Sequence, residues 1–224
     1  MEKLISIKDL FKKSFEFYKK NIKVILIVCA IGYVPVLLSY LIGFSYGIDF
    51  SSFKALTPSQ ILFFLILSLI IFVANFLVYI VLFYVIQERS QPVGAPAKVV
   101  DLFYLASKKA GSFAWIILLE SLCIILGLIL FIIPGIIVAI WFVFSNYMFV
   151  FEGKRGKAAL SASRELVRGY WWPVFFRYFL LTIFSSIISM IPILGDAINF
   201  LFVIPFCVIF GYVIYQDLKR IKPV

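Results

Sequence analysis

Long apolar runs alternate along this chain with short segments that carry lysine and arginine. The runs at 22–44, 61–86, 112–133, 136–151, 171–193 and 197–215 predict six membrane helices. At about 1.5 Å per residue, about 20 apolar residues cross a hydrocarbon core of about 30 Å. Three shorter stretches between them have the mixed period of a surface helix. In 6–20, Ile7, Leu10, Phe11, Ser14, Phe15 and Tyr18 fall on one helical face, while Lys8, Lys12, Lys13, Lys19 and Lys20 lie largely off it. Ser6 is a candidate N-cap and Asp9 sits in the first turn, favourable for the helix dipole. A second amphipathic helix is predicted over 97–110, stopped by Gly111, and a third over 157–168, ended by Gly169. Helices of this kind are expected to lie in the membrane interface, apolar face down.

Breakers divide the runs. Gly32 and Pro35 fall inside the first, and Thr57-Pro58-Ser59-Gln60 supplies an N-cap, a first-turn proline and a capping glutamine for the second. Pro92, Gly94 and Pro96 interrupt the next linker, and Pro134-Gly135 and Pro192 with Gly195 mark tight corners. The pieces repeat as amphipathic helix plus two spans, giving units 1–87, 88–151 and 152–224 of a single membrane domain. The fold class expected is thus an all-α integral membrane protein, six transmembrane helices in three hairpins, each preceded by an interfacial helix. The corners of the last two hairpins are short and nearly uncharged, as in wedges that re-enter one leaflet, but spans three and five are long enough for full crossing.

Composition agrees with the pattern: 64% hydrophobic residues, 14% charged and a mean hydropathy of +1.10 lie outside the range of soluble domains. A removable signal peptide is not expected, because the first apolar run is long and lacks a small-residue cleavage site. Cys29, Cys123 and Cys207 all fall inside apolar runs without Cys-x-x-Cys spacing, so they read as small embedded side chains. A net charge of +10 would suit nucleic acid if it were gathered on one soluble module. Instead, 19 of the 21 basic residues sit in alternate gaps, leaving only Lys54 opposite and Arg177 within a span. By the positive-inside rule both termini and all three amphipathic helices are expected on the cytoplasmic side of the inner membrane. The sequence contains no histidine, and no nucleophile-base pair or metal-ligand cluster is visible in it, so no catalytic residue, metal or cofactor is expected.

A few polar positions inside the runs bear on function. Glu120, about two turns into span three, needs a partner or a proton, and Arg177 in span five is expected at comparable depth. A structural pair between the two is the first reading, and a proton or substrate site is the second. Asn75 and Tyr79, one turn apart in span two, are candidates for a polar seam or an interhelical hydrogen bond. Glu152 closes span four, where a carboxylate opposes the helix dipole, so a pair with Arg164 or Arg168 is expected to pin the third amphipathic helix. Lys154, Arg155 and Lys157 are candidate contacts for anionic headgroups, each contributing about 1 kcal/mol.

Across 132–175, the combination of Pro134-Gly135, Trp141, Glu152-Gly153, Ala159-Leu160, Ser163, Leu166-Val167, Gly169 and Trp171-Trp172 resembles uncharacterised prokaryotic multi-pass families. These include families related to the membrane domain attached to some glycerophosphodiester phosphodiesterases. The resemblance implies a helical membrane domain and no activity, because the phosphodiester chemistry of those proteins belongs to a separate soluble barrel. The expectation is therefore a non-enzymatic membrane protein that engages lipids, including anionic ones, or a membrane-protein partner. The alternative is a transporter of a lipid or other amphiphile through polar groups between hairpins.

Overall fold

The structure, a computed structural model, describes residues 4–45, 57–91, 97–191 and 194–222. In chain order its elements are α1 (Ile7–Ser45), α2 (Pro58–Ser90), α3 (Val99–Leu130), α4 (Ile132–Phe142) and α5 (Ser145–Glu152). There follow α6 (Lys157–Val167), α7 (Trp171–Ser189), α8 (Gly195–Ile198), a π-helical turn (Asn199–Val203) and α9 (Ile204–Ile221). Six helical stretches are long and apolar enough to cross a membrane, and no strand occurs among the described residues. The chain thus has the build of an all-helical, multi-pass membrane protein. The expected loop containing Lys54, the linker breakers Pro92, Gly94 and Pro96, and the corner residue Pro192 lie outside the described residues.

Two helix starts follow their sequence signals. Ser6 accepts a hydrogen bond from the Asp9 amide at 3.1 Å and donates to its carboxylate at 2.7 Å. At α2 the Thr57 amide donates to Gln60 Oε1 at 2.9 Å and Thr57 Oγ1 accepts from the Gln60 amide at 3.4 Å, closing a capping box with Pro58 in the first turn.

Other boundaries differ from the expectation. The first amphipathic stretch and span one form one continuous helix, α1, whose buried stripe Leu10, Ser14, Tyr18, Asn21, Ile25 and Val28 runs through both. Ile7, Phe11 and Phe15, expected on the same face as Leu10, are exposed, although Phe11 still meets the rings of Phe206 and Phe210 of α9. Likewise α3 continues through Gly111 rather than stopping there. Leu102, Ala106, Phe113 and Ile116 keep one face buried across the glycine, and this burial outweighs a helix penalty of about 1 kcal/mol. The corner between α3 and α4 is a single extended residue, Phe131, and Pro134 falls in the first turn of α4, where its missing N–H costs nothing. Gly127 and Gly135 make that corner tight: a Cβ on Gly127 would stand 2.9 Å from the Gly135 Cα. Span four is broken into α4 and α5 at Val143 and Phe144.

Consecutive long helices α1 and α2, and α3 and α4, pack side by side, α2 also packs on α3, and α9 returns to α1. The helix α7 touches α4, α8 and the π-helical turn, and α6 lies across α4 and α5. Burial is uneven along the bundle. Every residue of α2 from Ile80 to Ile86 is buried, as is every residue of α5 from Ser145 to Val150, whereas Leu62, Leu65, Leu69 and Phe72 in the first half of α2 are exposed. Ile129 to Ile133 at the α3–α4 corner are also exposed. The tightly packed end is the basic one, where contacts join the N-terminal residues, the ends of α2, α5 and α9, and the start of α7. Hydrocarbon is as apolar as leucine, so exposed aliphatic faces away from that end suit lipid and need no protein cover.

Candidate functional site

Arg177 does not meet Glu120. Its guanidinium donates to the Ile5 carbonyl at 2.6 Å and to the Pro173 carbonyl at 2.8 Å. The amide of Ile5 in turn donates to Asp217 Oδ2 at 2.7 Å, while Asp217 Oδ1 faces Arg220 at 2.8 Å. The backbone of one residue near the N-terminus, Ile5, is thus held by its carbonyl from α7 and by its amide from α9. The expected intramembrane pair does not form: Arg177 spends its terminal donors on the Ile5 and Pro173 carbonyls, and Asp217, close enough to act on it electrostatically, is occupied by the Ile5 amide and Arg220. Asp217 was not singled out from the sequence because it reads as one charge in a charged tail. The available signal was its placement among Ile214, Leu218 and Ile221, on the apolar side of α9.

Glu120 sits half-buried on the α3 face that also carries the buried Phe113, Ile116 and Gly127. Among the described residues no cation lies within 4 Å of it. It is within electrostatic reach of the phenols of Tyr79 and Tyr178. Asn146, close to Tyr79, has a buried Oδ1 without a partner. Asn75 spends its amide on the Ile71 carbonyl at 2.9 Å, and its buried Oδ1, facing Gly32, has no partner either.

Beside these groups lies a cavity of about 200 Å³. Tyr79 and Phe83 of α2, Tyr147 of α5, Tyr178 and Ser185 of α7, and Cys207 of α9 contribute to its wall. Val143, from the break between α4 and α5, and Val203, from the π-helical turn, complete one side. Irregular backbone inside a membrane helix is tolerated where it lines a cavity or is re-satisfied by neighbours, and π-turns recur at functional sites. Here both occur around one space. The Tyr147 hydroxyl donates to the Val208 carbonyl at 2.7 Å. Gly211 permits this: a Cβ there would lie 2.5 Å from the hydroxyls of both Tyr147 and Tyr178. Ser185 donates to Asn199 Oδ1 at 3.0 Å and Ser189 meets the same side chain, so the small polar positions of α7 latch it to the π-helical turn.

The break itself is mended by α6. Ser163, fully buried, accepts from the Phe144 amide at 3.1 Å and donates to the Trp141 carbonyl at 2.7 Å, taking up groups that an unbroken helix would pair internally. Its neighbour Ser145 donates to the Phe142 carbonyl at 2.6 Å. Tyr147, Tyr178 and Asn146 were not picked out beforehand, and Ser163 entered only among the residues of the family resemblance, with no role given to it. For Ser163 the signal was a hydroxyl on the apolar face of a short amphipathic helix.

Glu152 is compensated, though by other residues than expected. It accepts from the Tyr215 hydroxyl at 2.6 Å and pairs with Lys219 and Lys154, each at 2.9 Å. Gly153, with φ of +67°, turns the chain back at the end of α5, which brings Lys154 round to the carboxylate. Arg164 instead stacks over Trp141 at 4.4 Å, and Arg168 reaches Glu165 at 3.6 Å. Both arginines lie on the exposed face of α6, so Glu152 is served from α9. Of the three candidate headgroup contacts, Lys154 is taken up by Glu152, while Arg155 and Lys157 remain exposed. Among the described residues no group of three or more potential ligands could hold a metal ion. Compared with profiles of known protein families, with curated protein sequences and with solved structures, the chain matches none.

Proposed function

We propose that this chain is a non-enzymatic multi-pass membrane protein, oriented with its basic end in the cytoplasm, that binds a membrane lipid or other amphiphile in the cavity between α2, α5, α7 and α9. One observation carries the reading: a space of about 200 Å³, walled mainly by apolar and aromatic side chains, lies where a broken helix meets a π-helical turn. Three tyrosines and a serine give that wall a few fixed polar points, the usual make-up of a site for a mostly apolar ligand. The resemblance of the 132–175 stretch to membrane domains attached to phosphodiesterases is carried into this reading as a helical domain without chemistry of its own.

The test is to fill the space. A spin-labelled fatty acid added to the protein in detergent is expected to give an immobilised spectral component, and Cys207→Phe is expected to remove it without lowering the unfolding temperature. An immobilised component that persists at full size in the filled variant contradicts the proposal, as does its absence from the unaltered protein.

Transport of the amphiphile is a second reading, favoured by Glu120. A carboxylate on an inward helix face with no cation within 4 Å among the described residues is costly in a membrane unless it takes up a proton or a ligand. On this reading Glu120→Gln abolishes translocation of a fluorescent lipid across proteoliposomes while leaving binding in the cavity intact.

A further inference from the structure

We infer that the recess between α4 and α6, formed by Trp141, Ser161, Arg164, Glu165 and Arg168, is a binding site for the phosphate of an anionic glycerophospholipid in the surrounding bilayer. The inference requires that the helices lie in a membrane and does not depend on the central cavity holding an amphiphile. The recess measures about 400 Å³. Arg164 lies with its guanidinium over the Trp141 ring at 4.4 Å, and among the described residues it has no carboxylate within 4 Å and donates no side-chain hydrogen bond. A guanidinium held flat on an indole keeps its edge of N–H donors free, the fork geometry that matches a phosphate bidentately.

The charge balance favours an anion. Glu165 opposes one, but it is matched twice, by Arg168 at 3.6 Å and by Lys222 at 3.9 Å. Lys222 is itself fixed there, donating to the Glu165 carbonyl at 2.7 Å and the Arg168 carbonyl at 3.0 Å. Counting Lys222, the recess and its rim carry three cations against one carboxylate, which leaves Arg164 uncompensated, and the exposed Ser161 adds a hydroxyl donor.

The position specifies a lipid over a free phosphate. Trp141 belongs to a stretch long and apolar enough to span a membrane. Along α4 and the adjoining α7, Ile136, Trp172 and Phe176 present exposed apolar surface where acyl chains would run. A tryptophan beside arginines next to such a surface is the arrangement of a membrane interface, with the ring at the headgroup level. The site differs from a diffuse basic surface in using Arg164 and Arg168, which stand over the recess, and not Arg155 or Lys157, which are simply exposed.

Native mass spectrometry of the protein released from bilayers with equal amounts of phosphatidylglycerol and phosphatidylcholine provides the test. The unaltered chain is expected to retain phosphatidylglycerol preferentially. R164Q/R168Q is expected to lower that preference by about fivefold or more, at about 1 kcal/mol for each cation removed. R155Q/K157Q should leave it in place. Both double variants alter exposed positions, and matching elution profiles on size exclusion establish that they fold. An equal preference in R164Q/R168Q and the unaltered chain overturns the assignment, as does a loss confined to R155Q/K157Q. Displacement of the bound lipid by millimolar inorganic phosphate would overturn the lipid as occupant.

Discussion

Ser163 shows how much one hydroxyl can settle in this protein. Its oxygen takes the Phe144 amide and its proton goes to the Trp141 carbonyl, so two backbone groups at the break in span four are paired across to α6. Ser163→Ala leaves the Phe144 amide buried without an acceptor, at a cost of about 1–3 kcal/mol. The expected outcome is a lower unfolding temperature in detergent together with earlier proteolysis of α6, measured against the unaltered chain. Ser163→Thr, which keeps the hydroxyl, should lose less on both measures. Arg177 and Glu152 show the converse, that a charge visible in sequence does not name its partner. Arg177 places its two terminal nitrogens on the Ile5 and Pro173 carbonyls and leaves its buried Nε without a partner, while Glu152 is met by Lys154, Lys219 and Tyr215, which lie far away in sequence or across a glycine turn.

At the scale of elements, hydropathy located all six membrane-length helices, because about 20 apolar residues are visible without any knowledge of packing. The caps at Ser6 and Thr57 were legible for the same reason: a cap is a bond between residues three apart. The interruptions were not. Gly111 carries a stop signal, but its effect depends on whether Phe113 and Ile116 remain buried in register with Leu102 and Ala106, which is a property of the neighbours. The break at Val143 has no breaker residue and is held by Ser163 from another helix, and the π-helical turn at Asn199–Val203 is latched by Ser185 and Ser189. Two alanine substitutions separate these cases. Gly111→Ala has nothing within 4 Å of the added methyl and should stabilise the continuous α3 by about 0.5–1 kcal/mol. Gly127→Ala drives its methyl into the Gly135 backbone, which cannot swing aside, and should destabilise the α3–α4 corner by about 1–3 kcal/mol. Thermal unfolding of the two variants side by side checks both signs.

Among the described residues the molecule is a bundle packed at one end and exposing apolar faces at the other. At about 1.5 Å per residue the 39 residues of α1 and the 33 of α2 far exceed a hydrocarbon core of about 30 Å. The surplus falls at the basic end, in the lysine-bearing turns of α1 and in α2 from the buried run Ile80 to Ile86 to its half-buried last turn, Gln87 to Ser90. That end, with its backbone and charges tied by Asp217, Arg177 and Glu152, is therefore expected to project from a bilayer. Cysteines placed at Lys13, Lys109 and Arg155 are expected to react with an impermeant maleimide from one and the same side of sealed vesicles, the cytoplasmic one. Labelling of any one from the opposite side contradicts this topology. Of the intramembrane site, Glu120, Asn75 and Tyr79 were legible as polar residues in apolar runs, whereas the tyrosines of α5 and α7 became significant only once Gly211 and the two irregular turns brought them together.

The central claim, an amphiphile held among Tyr79, Tyr147, Tyr178 and Cys207, is tested most directly by a high-resolution electron cryomicroscopy map of the protein in lipid nanodiscs. The account predicts elongated density filling the cavity, with its polar end against the tyrosine hydroxyls. Closure of those four side chains onto one another, with no density between them, would contradict it.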